Sequence, residues 1–82
     1  MPTLIIIDGI RIVMYPSDHP PPHVHAWKNG RDAQFEIATG RVMEGQMDRK
    51  TIRTVQTWIA LNQDLLFEAW TYCQAPNPTT TK

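Results

Sequence analysis

Apolar residues alternate with polar ones over the first half of this chain and recur at helical spacing over the second, the change falling near residue 48. Leu4 to Ile7 is a β-branched run closed by Asp8-Gly9, a dipeptide favoured in two-residue hairpins because both central positions take positive φ. Ile10 to Tyr15 should return antiparallel to it, with Ile10, Ile12 and Met14 on one face and Arg11, Val13 and Tyr15 on the other. Pro16 closes that strand, since proline cannot donate to the ladder. Residues 16 to 22 hold four of the seven prolines, which predicts a stiff, extended surface connection.

His23 to Lys28 reads as the third strand, and Asn29-Gly30 after it is the strongest hairpin signal in the chain. With those two as the loop, Lys28 pairs with Arg31, Trp27 with Asp32, Ala26 with Ala33, His25 with Gln34, Val24 with Phe35 and His23 with Glu36. Val24, Ala26, Ala33 and Phe35 then form the buried face. The stretch from Ile37 to Arg41 fits a three-residue loop with Gly40 left-handed, a type I turn plus bulge. That choice pairs Phe35 with Met43 and Gln34 with Glu44, setting apolar opposite apolar.

From about Asp48, the expected N-cap, the period becomes helical. Ile52, Val55, Ile59, Leu66, Ala69 and Cys73 lie on one stripe, widened by Trp58, Leu65 and Trp70. Asn62 interrupts it, so a kink or a break into two helices is expected at 61 to 63. The predicted fold is α+β: an antiparallel sheet of four or five strands, built from two or three hairpins, with a C-terminal helix or broken helix on one face. One domain is expected over residues 1–74, followed by a disordered proline- and threonine-rich tail over 75–82.

Composition narrows the functional classes. At 82 residues the chain has room for a single small core, burying about 60% of the surface its unfolded form exposes. Formal net charge is zero, so any attraction for nucleic acid has to come from a local basic patch. The single cysteine, Cys73, excludes an internal disulfide and a cysteine-rich zinc site, as fits a reducing compartment. The apolar run at Leu4 to Ile7 is too short for a signal segment or a membrane span, and a cytoplasmic protein is expected.

All three histidines fall within seven residues, in Asp18-His19-Pro20-Pro21-Pro22-His23-Val24-His25. The hairpin register sets His23, His25, Gln34, Glu36 and Glu44 on the sheet face opposite the core, with Asp18 and His19 arriving from the proline loop. One reading is acid–base catalysis: a metal-independent ribonuclease in which His23 or His25 moves a proton and Glu36 or Glu44 orients it. Another is a metal site built on His19, His23 and His25; it is not favoured, because strand residues two apart stand roughly 6.5–7 Å apart. The plainest reading makes His23 and His25 ordinary polar-face residues and His19 a turn residue. No cofactor is implied.

Two further features bear on partners. Arg49, Lys50 and Arg53 sit in the first turns of the helix, where the macrodipole disfavours cations, which suits a phosphate or an acidic partner. Trp27 shares the histidine face and is a candidate for stacking on a base or anchoring a protein, or else for packing under the proline loop.

Met1-Pro2-Thr3, Gly9-Ile10 with Ile12, Met14-Tyr15, Asp18-His19, Pro21-Pro22-His23 with His25-Ala26, Thr39-Gly40, Glu44-Gly45, Trp58 and Trp70 resemble a family of small bacterial proteins known as domain of unknown function 4160. The likeness runs over about residues 1 to 72, and Val24 stands where the family usually carries an aromatic residue. The resemblance supplies no activity. Its genes often lie beside another small uncharacterised gene, which implies a component of a toxin–antitoxin-like pair. The expected function is therefore binding of the small protein encoded by that neighbouring gene, with RNA as a further candidate ligand.

Overall fold

Two dipeptides set most of the architecture. In the computed structural model, which describes residues 3–16 and 18–74, Asp8-Gly9 and Asn29-Gly30 all have positive φ, from 49° to 77°. Each closes a two-residue hairpin, the first joining β1 (Thr3–Ile7) to β2 (Ile10–Val13), the second joining β3 (His23–Lys28) to β4 (Arg31–Glu36). All six pairings expected between β3 and β4 are present, from Lys28 with Arg31 to His23 with Glu36. β5 (Val42–Gly45) completes a five-stranded antiparallel sheet in the order β1-β2-β3-β4-β5. The proline-rich segment is the long connection from β2 to β3.

The β4–β5 connection corrects the expected three-residue loop. Glu36 N–H donates to Arg41 O and Gly40 N–H to Glu36 O, so residues 37–40 form a four-residue loop with Gly40 left-handed at φ 79°. Phe35 therefore pairs with Val42 rather than Met43, and Met43 becomes an extra bulged residue. The bulge restores the anticipated register beyond it, with Gln34 opposite Glu44 and Ala33 opposite Gly45.

α1 (Arg49–Leu61) is capped by Asp48, whose carboxylate accepts from Thr51 N–H at 3.1 Å and from Thr51 Oγ1 at 2.6 Å. Those hydrogen bonds, the hydroxyl's above all, hold the Asp48 carboxyl below its ordinary range. The helix ends at Asn62, whose Nδ2 donates to Trp58 O, and α2 (Gln63–Gln74) follows directly. Val55, Ile59, Leu66 and Trp70 pack against Ile10, Ile12, Met14, Val24, Ala26, Ala33, Phe35 and Ile37 in one core. Leu65 is a correction: it is expected to widen the core stripe and is 64% exposed, because Leu66, Ala69, Trp70 and Cys73 carry the buried face of α2 and Leu65 lies beside it. No helix among the described residues is long and apolar enough to cross a membrane. The tail over 75–82 lies outside the described residues.

Gly45 holds the sheet edge in place. Its φ is +89°, and a Cβ there would run into the Asp32 carbonyl and stand 2.8 Å from Ala33 Cα. At Gly9 a Cβ meets nothing within 4 Å. Gly45→Ala is expected to lower stability by about 2 kcal/mol or more, and Gly9→Ala by only about 1 kcal/mol. Urea unfolding midpoints of the two variants at an unchanged m-value make the comparison.

Candidate functional site

Residues two apart on a strand share a face, so β3 carries His23 and His25 side by side, with ring centroids 5.1 Å apart. The proline loop supplies the third member. Asp18 Oδ2 lies 3.0 Å from His23 Nε2 and 2.9 Å from His25 Nε2, so one carboxylate oxygen faces both imidazoles. The backbone N–H of His19 donates to the other oxygen, Oδ1, at 2.9 Å. Pro22 O accepts from Ile37 N–H at 3.0 Å, tying the end of the loop to the β4–β5 connection. Within the loop the Pro20–Pro21 peptide bond is cis.

His23 is the most enclosed of the three. Its Nδ1 stands 2.7 Å from the carbonyl of Pro21, and a carbonyl only accepts, so Nδ1 carries a proton. Its Nε2 is then left facing a carboxylate oxygen. That approach is favourable when Nε2 carries a second proton, making an imidazolium, or when a cation lies between the two atoms. The ring sits against Trp70 of α2, at 5.3 Å between centroids, and the residue is 3% exposed. His25 is half-buried and takes the edge of Tyr15 in a T-shaped contact at 4.6 Å. Burial pushes the Asp18 carboxyl up. The hydrogen bond from His25, the His19 N–H and the charges of His23 and His25 outweigh that and hold it below its ordinary 3.8.

The other sequence candidates lie apart from this cluster. Glu36 pairs with His23 along the ladder, but its carboxylate is taken by Thr39 Oγ1 and Arg41 Nε, both at 2.9 Å, which hold it below the ordinary carboxylate range. Glu44 is exposed and accepts from Gln34 Nε2 at 3.1 Å. His19 is exposed and joins the cluster through its backbone alone. Trp27 is half-buried, and its Nε1 is enclosed without a partner among the described residues. Arg49, Lys50 and Arg53 are exposed and line a separate groove with Ile7, Asp8 and Trp58.

Among the described residues Asp18, His23 and His25 form a group able to hold a metal ion, their ligand atoms all within 4.8 Å of one another. Pro21, Tyr15 and Trp70 complete it, and strand periodicity alone names none of them as site residues. The available signal was the Asp-x4-His-x-His spacing across a proline loop stiff enough to fold back.

Asp18 also links the site to stability. A carboxyl held below its unfolded value stabilises the fold above that value and loses the contribution as pH falls through its folded value. Asp18→Asn is expected to cost about 1.5–3 kcal/mol at pH 7 in chelator-treated buffer. The gap from wild type should be full above about pH 5 and shrink below about pH 4. Urea unfolding of both proteins across that range gives the answer.

The model of one family, domain of unknown function DUF4160, matches residues 9–71, a span that includes Tyr15, Asp18, Pro21, His23, His25 and Trp70. No curated protein and no solved structure matches the chain. With the whole histidine cluster inside the matched span, the chain belongs to the DUF4160 family.

Proposed function

We propose that this chain is a small metal-binding module in which Asp18, His23 and His25 take one divalent first-row transition ion. The observation that carries the reading is the arrangement around His23: Nδ1 is committed to the Pro21 carbonyl, while Nε2 converges with His25 Nε2 on the Asp18 carboxylate. Metal-bound histidines commonly donate their second ring nitrogen to a backbone carbonyl in this way, which fixes the tautomer and aims the lone pair. Two imidazoles and a carboxylate suit zinc, nickel, iron or manganese, and three protein ligands leave room for water or a substrate atom. Asp18, at 22% side-chain exposure, provides the open side, and His23, at 4%, the closed one. In a domain of this size an ion holding the loop to the sheet also supplies stability that a small core lacks.

Proton transfer through the same histidines is a weaker reading. Glu36 and Glu44 are bonded elsewhere, which leaves Asp18 as the orienting carboxylate. The partner-binding reading has its own support: Leu61, Leu65 and Tyr72 are 78%, 64% and 80% exposed along the two helices. Such apolar exposure suits a small partner protein in a bacterial, cytoplasmic toxin–antitoxin-like pair.

Chelator-stripped protein titrated with zinc, nickel and manganese should take up about one equivalent of at least one of them, with at least tenfold weaker binding in Asp18→Ala and His25→Ala. At about a hundred times the dissociation constant the ion should add roughly 2.7 kcal/mol to stability. Uptake below about a tenth of an equivalent by elemental analysis rejects the metal reading. For the partner reading, co-expression with the neighbouring gene product should give one complex on a sizing column. Two separate monomers would oppose it.

A further inference from the structure

The chain is neutral overall, yet most of its cations line neighbouring depressions. Arg49, Lys50 and Arg53 line a groove of about 750 Å³ between α1 and the β1–β2 turn. That groove shares Asp8, Lys50 and Thr54 with a neighbouring depression reaching Lys28, which in turn shares Lys28 with a third that reaches Arg31. The three adjoin through these shared residues, and together they form a track lined by five of the eight Lys and Arg side chains of the sequence. The carboxylates lining it are Asp8 and Asp48; Asp48 caps α1 and also feels the charge of Lys28, whose Nζ donates to Thr51 Oγ1 at 3.4 Å. Among the described residues Arg49, Lys50 and Arg53 make no ion pair.

Cations in the first turns of a helix work against its dipole, so the stability of α1 does not account for them. The wall between them is apolar as well as charged. Ile7, Trp58 and Leu61 line the first groove beside the cations, and Trp58 is half-buried there. A track of positive charge with an aromatic ring in its wall is how proteins hold single-stranded nucleic acid: phosphates follow the cations while a base stacks on the ring. An acidic peptide would use the charges and leave the indole without a matching flat partner. We propose that this track binds single-stranded nucleic acid, with the phosphates on Arg49, Lys50, Arg53 and Lys28 and a base on Trp58. The site is separate from the histidine cluster and does not depend on its occupancy by metal.

The test is fluorescence anisotropy of the full chain with a labelled 12-nucleotide uridine oligomer. Binding is expected at about 10⁻⁴ M or tighter in low salt, with a log–log salt slope of about −2 to −3 for three or four phosphates. Arg49→Glu, Lys50→Glu and Arg53→Glu together should weaken binding at least tenfold. Acids in those positions favour the helix, so circular dichroism should show an intact fold. Trp58→Leu, which keeps the site apolar, should weaken binding about fivefold or more, while stripping the wild-type protein with a chelator should leave binding unchanged. A deoxythymidine oligomer run in parallel assigns the strand as RNA or DNA. No anisotropy change up to a few hundred micromolar, wild-type binding by the folded charge-reversal variant, or equal displacement by a glutamate 12-mer would each overturn the proposal.

Discussion

A carboxylate oxygen that faces two imidazoles at once has to be held still, because a partly buried polar group with a missing partner costs more than the contact returns. Asp18 Oδ2 is that oxygen, and its position depends on the proline loop. Pro22 is tied to Ile37, the Pro21 carbonyl accepts a hydrogen bond from His23 Nδ1, and the His19 N–H turns the carboxylate through its other oxygen. Each contact lies on the backbone of the loop or within one residue of Asp18. The loop is thus the third wall of the site as well as a connection between strands.

The remaining architecture serves to place that loop against a fixed strand. The Asn29-Gly30 hairpin sets which β3 residues face the core and which face the loop, and a slip of one residue would send both histidines to the core side. The break at Asn62 has a matching role. It ends α1 over the sheet and lets α2 carry Trp70 against His23, while Gln63 Nε2 bonds the carbonyls of Ile37 and Ala38. The same Ile37 bonds Pro22, so the start of α2, the β4–β5 loop and the proline loop meet around one short segment. Enclosure of the histidines and closure of the core are therefore a single packing problem.

Much of this was legible in the residues. Asn29-Gly30 and Asp8-Gly9 admit few backbone solutions, so the registers of two hairpins follow from local chemistry, and the alternation at Val24, Ala26, Ala33 and Phe35 agrees with them. Asn62, a poor interior helix residue amid an apolar stripe, marked the break. The β4–β5 loop was harder, since three- and four-residue loops around Gly40 differ by one residue and a bulge at Met43 conceals the difference downstream. The anchoring of both histidines by Asp18 is harder still. A proline loop has no period from which to read direction, and side-chain pairing across it is a tertiary fact. Register alone pointed to Glu36 and Glu44, and local bonds to Thr39, Arg41 and Gln34 claimed them first.

A metal site at this loop requires that His23 present Nε2, and not Nδ1, toward a cation shared with His25 and Asp18. Long-range nitrogen–proton NMR of the imidazole rings, recorded on chelator-stripped protein before and after about one equivalent of zinc, addresses it atom by atom. The Nε2 resonances of His23 and His25 should both move on adding zinc while Nδ1 of His23 stays protonated and His19 does not change. Unchanged rings, or a shift confined to His19 or to Nδ1 of His23, would contradict the metal site.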